Sequence, residues 1–168
     1  MRMNSLKLAI AGTLAMAAGT AGAAPSPATT TLNVSANVAS NCLVTAAPLN
    51  FSDYDGSATV DGQANLSVRC SNGTPYTISL GDGANGTIAQ RLLMSGTDQL
   101  EYNLYTAAAR TTIWGQTVGT DTVGGTGQGM SSTKANTHTV YGTIANSAAN
   151  QDAPVGLYTD TVAVTVAY

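Results

Sequence analysis

Charge is scarce in this sequence: Asp, Glu, Lys and Arg make up 9% of its 168 residues, and aromatic residues only 5%. There is one histidine, one tryptophan, one phenylalanine and two cysteines. With His138 alone beside Cys42 and Cys70, soft ligands are too few for a zinc site, and no metal or cofactor is expected. The Lys and Arg residues are scattered rather than clustered, which argues against nucleic acid and against anionic lipid surfaces as partners. Long apolar runs are missing as well. The stretch from Leu8 to Ala18 is rich in Ala and Gly and falls short of the roughly 20 residues that span a bilayer, so no membrane insertion is expected. Nowhere does the chain carry a convincing helical period.

What the N-terminus does have is a short basic start (Arg2, Lys7), that apolar stretch, and Ala21-Gly22-Ala23 as a small-x-small cleavage signal. Residues 1 to 23 therefore read as a secretory signal peptide. Cleavage after Ala23 leaves 145 residues, which suits one domain. It keeps four basic residues (Arg69, Arg91, Arg110, Lys134) against nine acidic ones, a net charge of −5. Export also puts Cys42 and Cys70 in an oxidising compartment, where a disulfide between them is the expected state. Closing a loop of that length stabilises by about 3 to 4 kcal/mol in the chain-entropy model.

Pro25 to Ala28 reads as a flexible lead-in. Apolar side chains then alternate at Leu32, Val34, Ala36 and Val38, and at the other end Tyr158, Val162, Val164, Val166 and Tyr168 share one face. Period-two alternation writes half-buried β-strands. Strands are expected near 31 to 38, 42 to 46, 63 to 70, 75 to 80, 91 to 94, 99 to 105, 111 to 115, 137 to 144 and 157 to 168. Turn dipeptides such as Asp55-Gly56, Asp61-Gly62, Asn72-Gly73 and Asn85-Gly86 separate them. Many short strands, high Gly and Thr and one disulfide predict an all-β, immunoglobulin-like antiparallel sandwich, with a barrel as the second option. Gly119 to Gly129 lacks the lysine of a phosphate-binding loop and reads as a mobile surface loop.

Catalytic chemistry finds little to work with. His138 sits in an alternating T-H-T-V-Y-G stretch, where a structural or surface role is expected. Asp53, Asp55 and Asp61 lie close in sequence, but they flank Gly-containing turns where Asp serves the backbone, and the calcium-loop pattern is incomplete. The chain is not expected to be an enzyme. Trp114 with surface tyrosines makes a carbohydrate-binding module the competing class.

The ordered runs N-V-S-A-N-V-A-S-N-C-L-V-T-A-A-P-L-N-F-S-D-Y-D (33 to 55) and L-S-V-R-C-S-N-G-T-P-Y-T-I-S-L-G-D-G (66 to 83) resemble the spore coat protein U domain family. So do L-E-Y-N-L-Y-T-A-A-A-R-T-T-I-W-G (100 to 115), V-Y-G-T-I (140 to 144) and V-G-L-Y-T-D-T-V-A-V-T-V-A-Y (155 to 168), so that the resemblance covers essentially the whole exported chain. Ser52 stands where the family pattern leads one to expect glycine, a departure confined to local turn geometry.

The resemblance implies subunits of archaic chaperone–usher pili, secreted adhesive and biofilm-promoting fibres of Gram-negative bacteria, or a spore-coat protein. In such subunits the sandwich lacks its last strand, and the N-terminal segment of a neighbour fills the gap. Implied partners are a periplasmic chaperone, an outer-membrane usher and other pilus subunits, with a homopolymer as product. Residues 24 to 38 would be the donor extension, with Leu32, Val34, Ala36 and Val38 filling pockets, and residues 39 to 168 the domain. Tyr158, Val162, Val164, Val166 and Tyr168 would line the acceptor groove. Alternation leaves open whether residues 29 to 38 are donated or fold back on their own domain; donation is expected to involve residues before Asn37.

Overall fold

A computed structural model describes Gly22 and residues 24 to 168. Gly22 apart, the expected signal peptide lies outside the described residues. The chain divides between Ala36 and Asn37 into two units. In the N-terminal unit, Leu32 and Val34 are 86% and 85% exposed, and none of its described residues is in a strand. Residues 31 to 38 thus depart from the expected strand, because alternation supplies a face but a strand also needs a partner for its backbone groups.

The second unit begins with β1 (Cys42–Ala46), β2 (Val60–Cys70), β3 (Pro75–Leu80), β4 (Arg91–Ser95) and β5 (Asp98–Tyr105). It continues with β6 (Val123–Thr126), β7 (Asn136–Ile144), the one-turn helix α1 (Ala148–Gln151) and β8 (Val164–Ala167). All pairs are antiparallel, in two sheets ordered β1-β2-β7-β5-β4 and β6-β3-β8, so the fold is a sandwich and not a barrel. Its core comes from every second residue of the central strands: Leu66, Val68 and Cys70 on β2, Tyr76, Ile78 and Leu80 on β3, and Leu100, Tyr102 and Leu104 on β5. That period is what lets each strand bury one face and hydrate the other.

Three expectations are corrected. The stretch 119 to 129 is not simply a loop, since Val123–Thr126 pairs with β3. Glycine carries no strand signal, yet here it is required, because a Cβ on Gly125 would collide with the Tyr76 hydroxyl. Residues 111 to 115 form no strand; the chain turns through Arg110, at φ 52°, and touches β5 by a single bridge from Ile113 to Tyr105. The final strand is confined to Val164–Ala167, and upstream of it Thr159 bridges to Met94 on β4, so this segment crosses from one sheet to the other.

Candidate interaction site

Two strand edges and one cavity make up the most unusual part of the surface. On β1, hydrogen bonds from Ser71 N–H to the Asn41 carbonyl and from Ala47 N–H to the Asn65 carbonyl, both 2.9 Å, set which residues face β2 with their polar groups. Alternation from those pairs leaves Cys42, Val44 and Ala46 with N–H and C=O aimed away from β2. It also puts Cys42 and Cys70 at a non-hydrogen-bonded pair, where side chains approach most closely; their Cα atoms are 4.1 Å apart and the expected disulfide is formed.

The same argument applies to β8. Gly81 N–H donates to the Ala163 carbonyl at 2.9 Å, and Val166 and Val164 lie opposite Ile78 and Leu80. Val162, Val164 and Val166 therefore turn their backbone polar groups away from β3, while their side chains are half-buried against the core. Among the described residues no strand pairs with that edge of β8, nor with the outer edge of β1. Tyr158 also packs against the core, whereas Tyr168 is 59% exposed.

Between the segments that follow β1 and precede β8 is a slot of about 740 Å3, walled by residues 48 to 56 on one side and 153 to 160 on the other, with Leu93, Leu100 and Ile144 in its floor. The slot opens to solvent beside the core, while Leu100 and Ile144 at its base are themselves buried. The first wall is seated by Leu49 and Phe51, which lie over Gly62 and Gly142; Phe51 also meets Tyr102 edge-on at 6.2 Å.

The second wall is tied down by Asp160. Its Oδ1 accepts from Ala84 N–H (2.8 Å) and Thr161 N–H (2.7 Å), and its Oδ2 from the Tyr102 hydroxyl (2.6 Å). Burial, and then the bond to Asp160, push the Tyr102 phenol far up, so it stays a donor. Asn150 on α1 stands in for a missing strand. It accepts from Glu101 N–H at 2.7 Å and donates to the Glu101 carbonyl at 2.9 Å, satisfying β5 where β7 has diverged.

Behind the slot, Arg91 is fully buried and donates only to neutral oxygens: Gly81 O (2.9 and 2.7 Å), Trp114 O (2.7 Å) and Asn103 Oδ1 (2.7 Å). Burial depresses its pKa, and the four bonds hold β4, β5 and two loops together. Sequence reasoning missed Arg91, Asn150 and Asp160. The one available signal was Arg91 on the inward-facing phase of its strand, where an apolar residue is the rule.

Residues weighed for other chemistry take structural places. Trp114 is 1% exposed and donates through Nε1 to the Ile78 carbonyl at 3.0 Å, so its ring cannot stack on a sugar. His138 Nε2 and the Tyr76 hydroxyl are 2.8 Å apart, and Asn136 Nδ2 donates to that same hydroxyl at 2.8 Å, joining one sheet to the other. Asp55 accepts from the Ser57 hydroxyl and N–H, which lower its pKa, in a local turn.

The fold is a two-sheet, immunoglobulin-like antiparallel sandwich in which, among the described residues, no strand pairs with the outer edge of β8. Residues 28 to 165 match the family model of the Spore Coat Protein U domain. The chain belongs to that family. It is 34% identical over 187 aligned residues to Protein U of Myxococcus xanthus, covering 99% of this chain and 100% of that one. Among solved structures, it is similar to a chain in the CsuC-CsuE chaperone-tip adhesion subunit pre-assembly complex from archaic chaperone-usher Csu pili of Acinetobacter baumannii. That match has a TM-score of 0.54 and 25% identity over 78% of this chain, and spans 40% of the solved chain's length.

Proposed function

We propose that this chain is an exported pilus subunit that polymerises by strand donation. The observation that carries the reading is the edge of β8, unpaired among the described residues, with Val162, Val164 and Val166 half-buried along it. The tail of a second copy would lie along that edge, making main-chain hydrogen bonds and burying Leu32, Val34, Ala36 and Val38. Three large side chains at about 1.5 to 3 kcal/mol each give several kcal/mol gross, before ordering losses. Head-to-tail insertion of this kind does not close on itself and yields a filament.

Until a neighbour's tail arrives, the exposed groove needs cover, which a periplasmic chaperone supplies by the same strand addition and an outer-membrane usher exchanges. The role is structural, not catalytic, and the product is an adhesive, biofilm-promoting homopolymer at the cell surface of a Gram-negative bacterium. Kinship across the full length of Protein U favours a second use of the same assembly, a coat layer. The deciding experiment removes residues 24 to 36. The shortened chain stays bound to its chaperone and forms no SDS-resistant ladder; a trimmed chain that is soluble, monomeric and cooperatively folded without a chaperone overturns the reading.

A further inference from the structure

Charged side chains are sorted along the strand axis. Pairing of Cys42 with Cys70, Val68 with Asn136, Pro75 with Thr126 and Thr77 with Ala167 gathers these residues at one end of the globule, the tail end. Pairing of Val60 with Ile144, Ser95 with Asp98, Leu80 with Val164 and Met94 with Thr159 gathers the slot at the other. The tail end carries Arg69 and Lys134 and no acidic side chain. Asp53, Asp55, Asp61, Asp82, Asp98, Glu101, Asp121, Asp152 and Asp160 lie toward the slot end, where among the described residues one cation, Arg91, is buried and the other, Arg110, lies against Asp61. Arg110 sits 3.1 Å from Asp61, close enough for an ion pair although its Nε–H is not aimed for a hydrogen bond.

Where the tail leaves the globule is also set. The Ser71 hydroxyl accepts from Asn41 N–H at 3.1 Å and donates to the Ala39 carbonyl at 3.2 Å, so residues 39 to 41 continue the line of β1. Three residues reach at most about 10 Å, so a copy that grips a tail through Val38 is held against the donor's tail end. If that Val38 lies at the acceptor's slot end, Arg69 and Lys134 meet aspartates; at the opposite end they meet Arg69 and Lys134 of the other copy. Asp53, Asp98 and Asp152 are exposed, and their carboxylates have no partner among the described residues.

We propose that the occupant of this acidic rim is the tail end of a second copy, with Arg69 and Lys134 docking on Asp53, Asp98 and Asp152 in an electrostatic joint outside the donated strand. The joint rests on the strand-donation reading and adds a charge term to it, one that steers encounter and selects the end-to-end orientation. The tail itself contributes none of this, for residues 24 to 38 carry no charged side chain.

The test follows polymerisation of the exported chain after dilution from denaturant. At roughly 20 mM salt R69E/K134E polymerises about tenfold more slowly than the parent, and the gap closes at roughly 0.5 M, where screening removes the attraction. Adding D53K, D98K and D152K to the same chain swaps both ends and restores the rate. An uncharged, end-capped peptide of residues 24 to 38 blocks growth of the parent and of R69E/K134E with the same midpoint. Equal rates at low salt, or no rescue by the swap, overturn the joint while peptide blocking leaves strand donation standing. A peptide that blocks neither chain overturns both.

Discussion

Gly62 and Gly142 face each other directly across β2 and β7, and the side chains of Leu49 and Phe51 fill the space above them. A Cβ on Gly142 would come within 2.8 Å of the Phe51 ring, and one on Gly62 within 3.0 Å. The glycine pair is a trough that seats one wall of the slot.

Gly142→Ala should therefore destabilise the domain by about 1 to 3 kcal/mol through overpacking, visible as a lower denaturant midpoint with an unchanged slope. Phe51→Leu in the same chain should recover part of the loss, because it removes the atoms in conflict.

The two faces of the last strand should respond differently to charge. Val164→Asp places a carboxylate on the core side of the open edge and should abolish SDS-resistant ladders. Thr165→Asp, one residue on and exposed, should leave them intact.

His138 links acid to stability. Burial lowers its folded pKa below the ordinary 6.5, so between those two values the unfolded chain binds more protons than the native one. Its contribution is complete above about pH 6.5 and is lost as pH falls through the folded value, when the Tyr76 hydroxyl can no longer donate to Nε2. Thermal denaturation from pH 7.5 down to 5 should show this decline, and His138→Gln should flatten it.

Asn150→Ala should cost about 2 to 4 kcal/mol, since it strands the Glu101 N–H and C=O and the Ala145 carbonyl at a half-buried site. Hydrogen exchange should then locate the loss at Glu101, with β2 and β3 still protected. Replacing both cysteines by alanine should cost about 3 to 4 kcal/mol, matched in the parent by added reductant.

Strands with strong alternation and flanking turn residues were legible: 42 to 46 and 75 to 80 have the observed bounds, and the disulfide follows from compartment and count. Illegible were features that depend on what lies opposite. Val123–Thr126 is a strand because it pairs with β3, and it carries a glycine at 125 because the Tyr76 hydroxyl leaves no room for a Cβ there. Residues 31 to 38 are not one, because pairing is a property of two segments and alternation of one. The 48 to 56 wall and the separation of charge to two ends arise from register, which scatters neighbours across the sequence.

One consequence concerns mechanics. In a fibre joined through tails, tension enters each globule at Asn41 and reaches Cys42 next, on an edge strand that hydrogen bonds alone would let peel away residue by residue. The Cys42–Cys70 bond stands at the first rung of that ladder and passes the pull straight into β2, which is hydrogen-bonded on both sides.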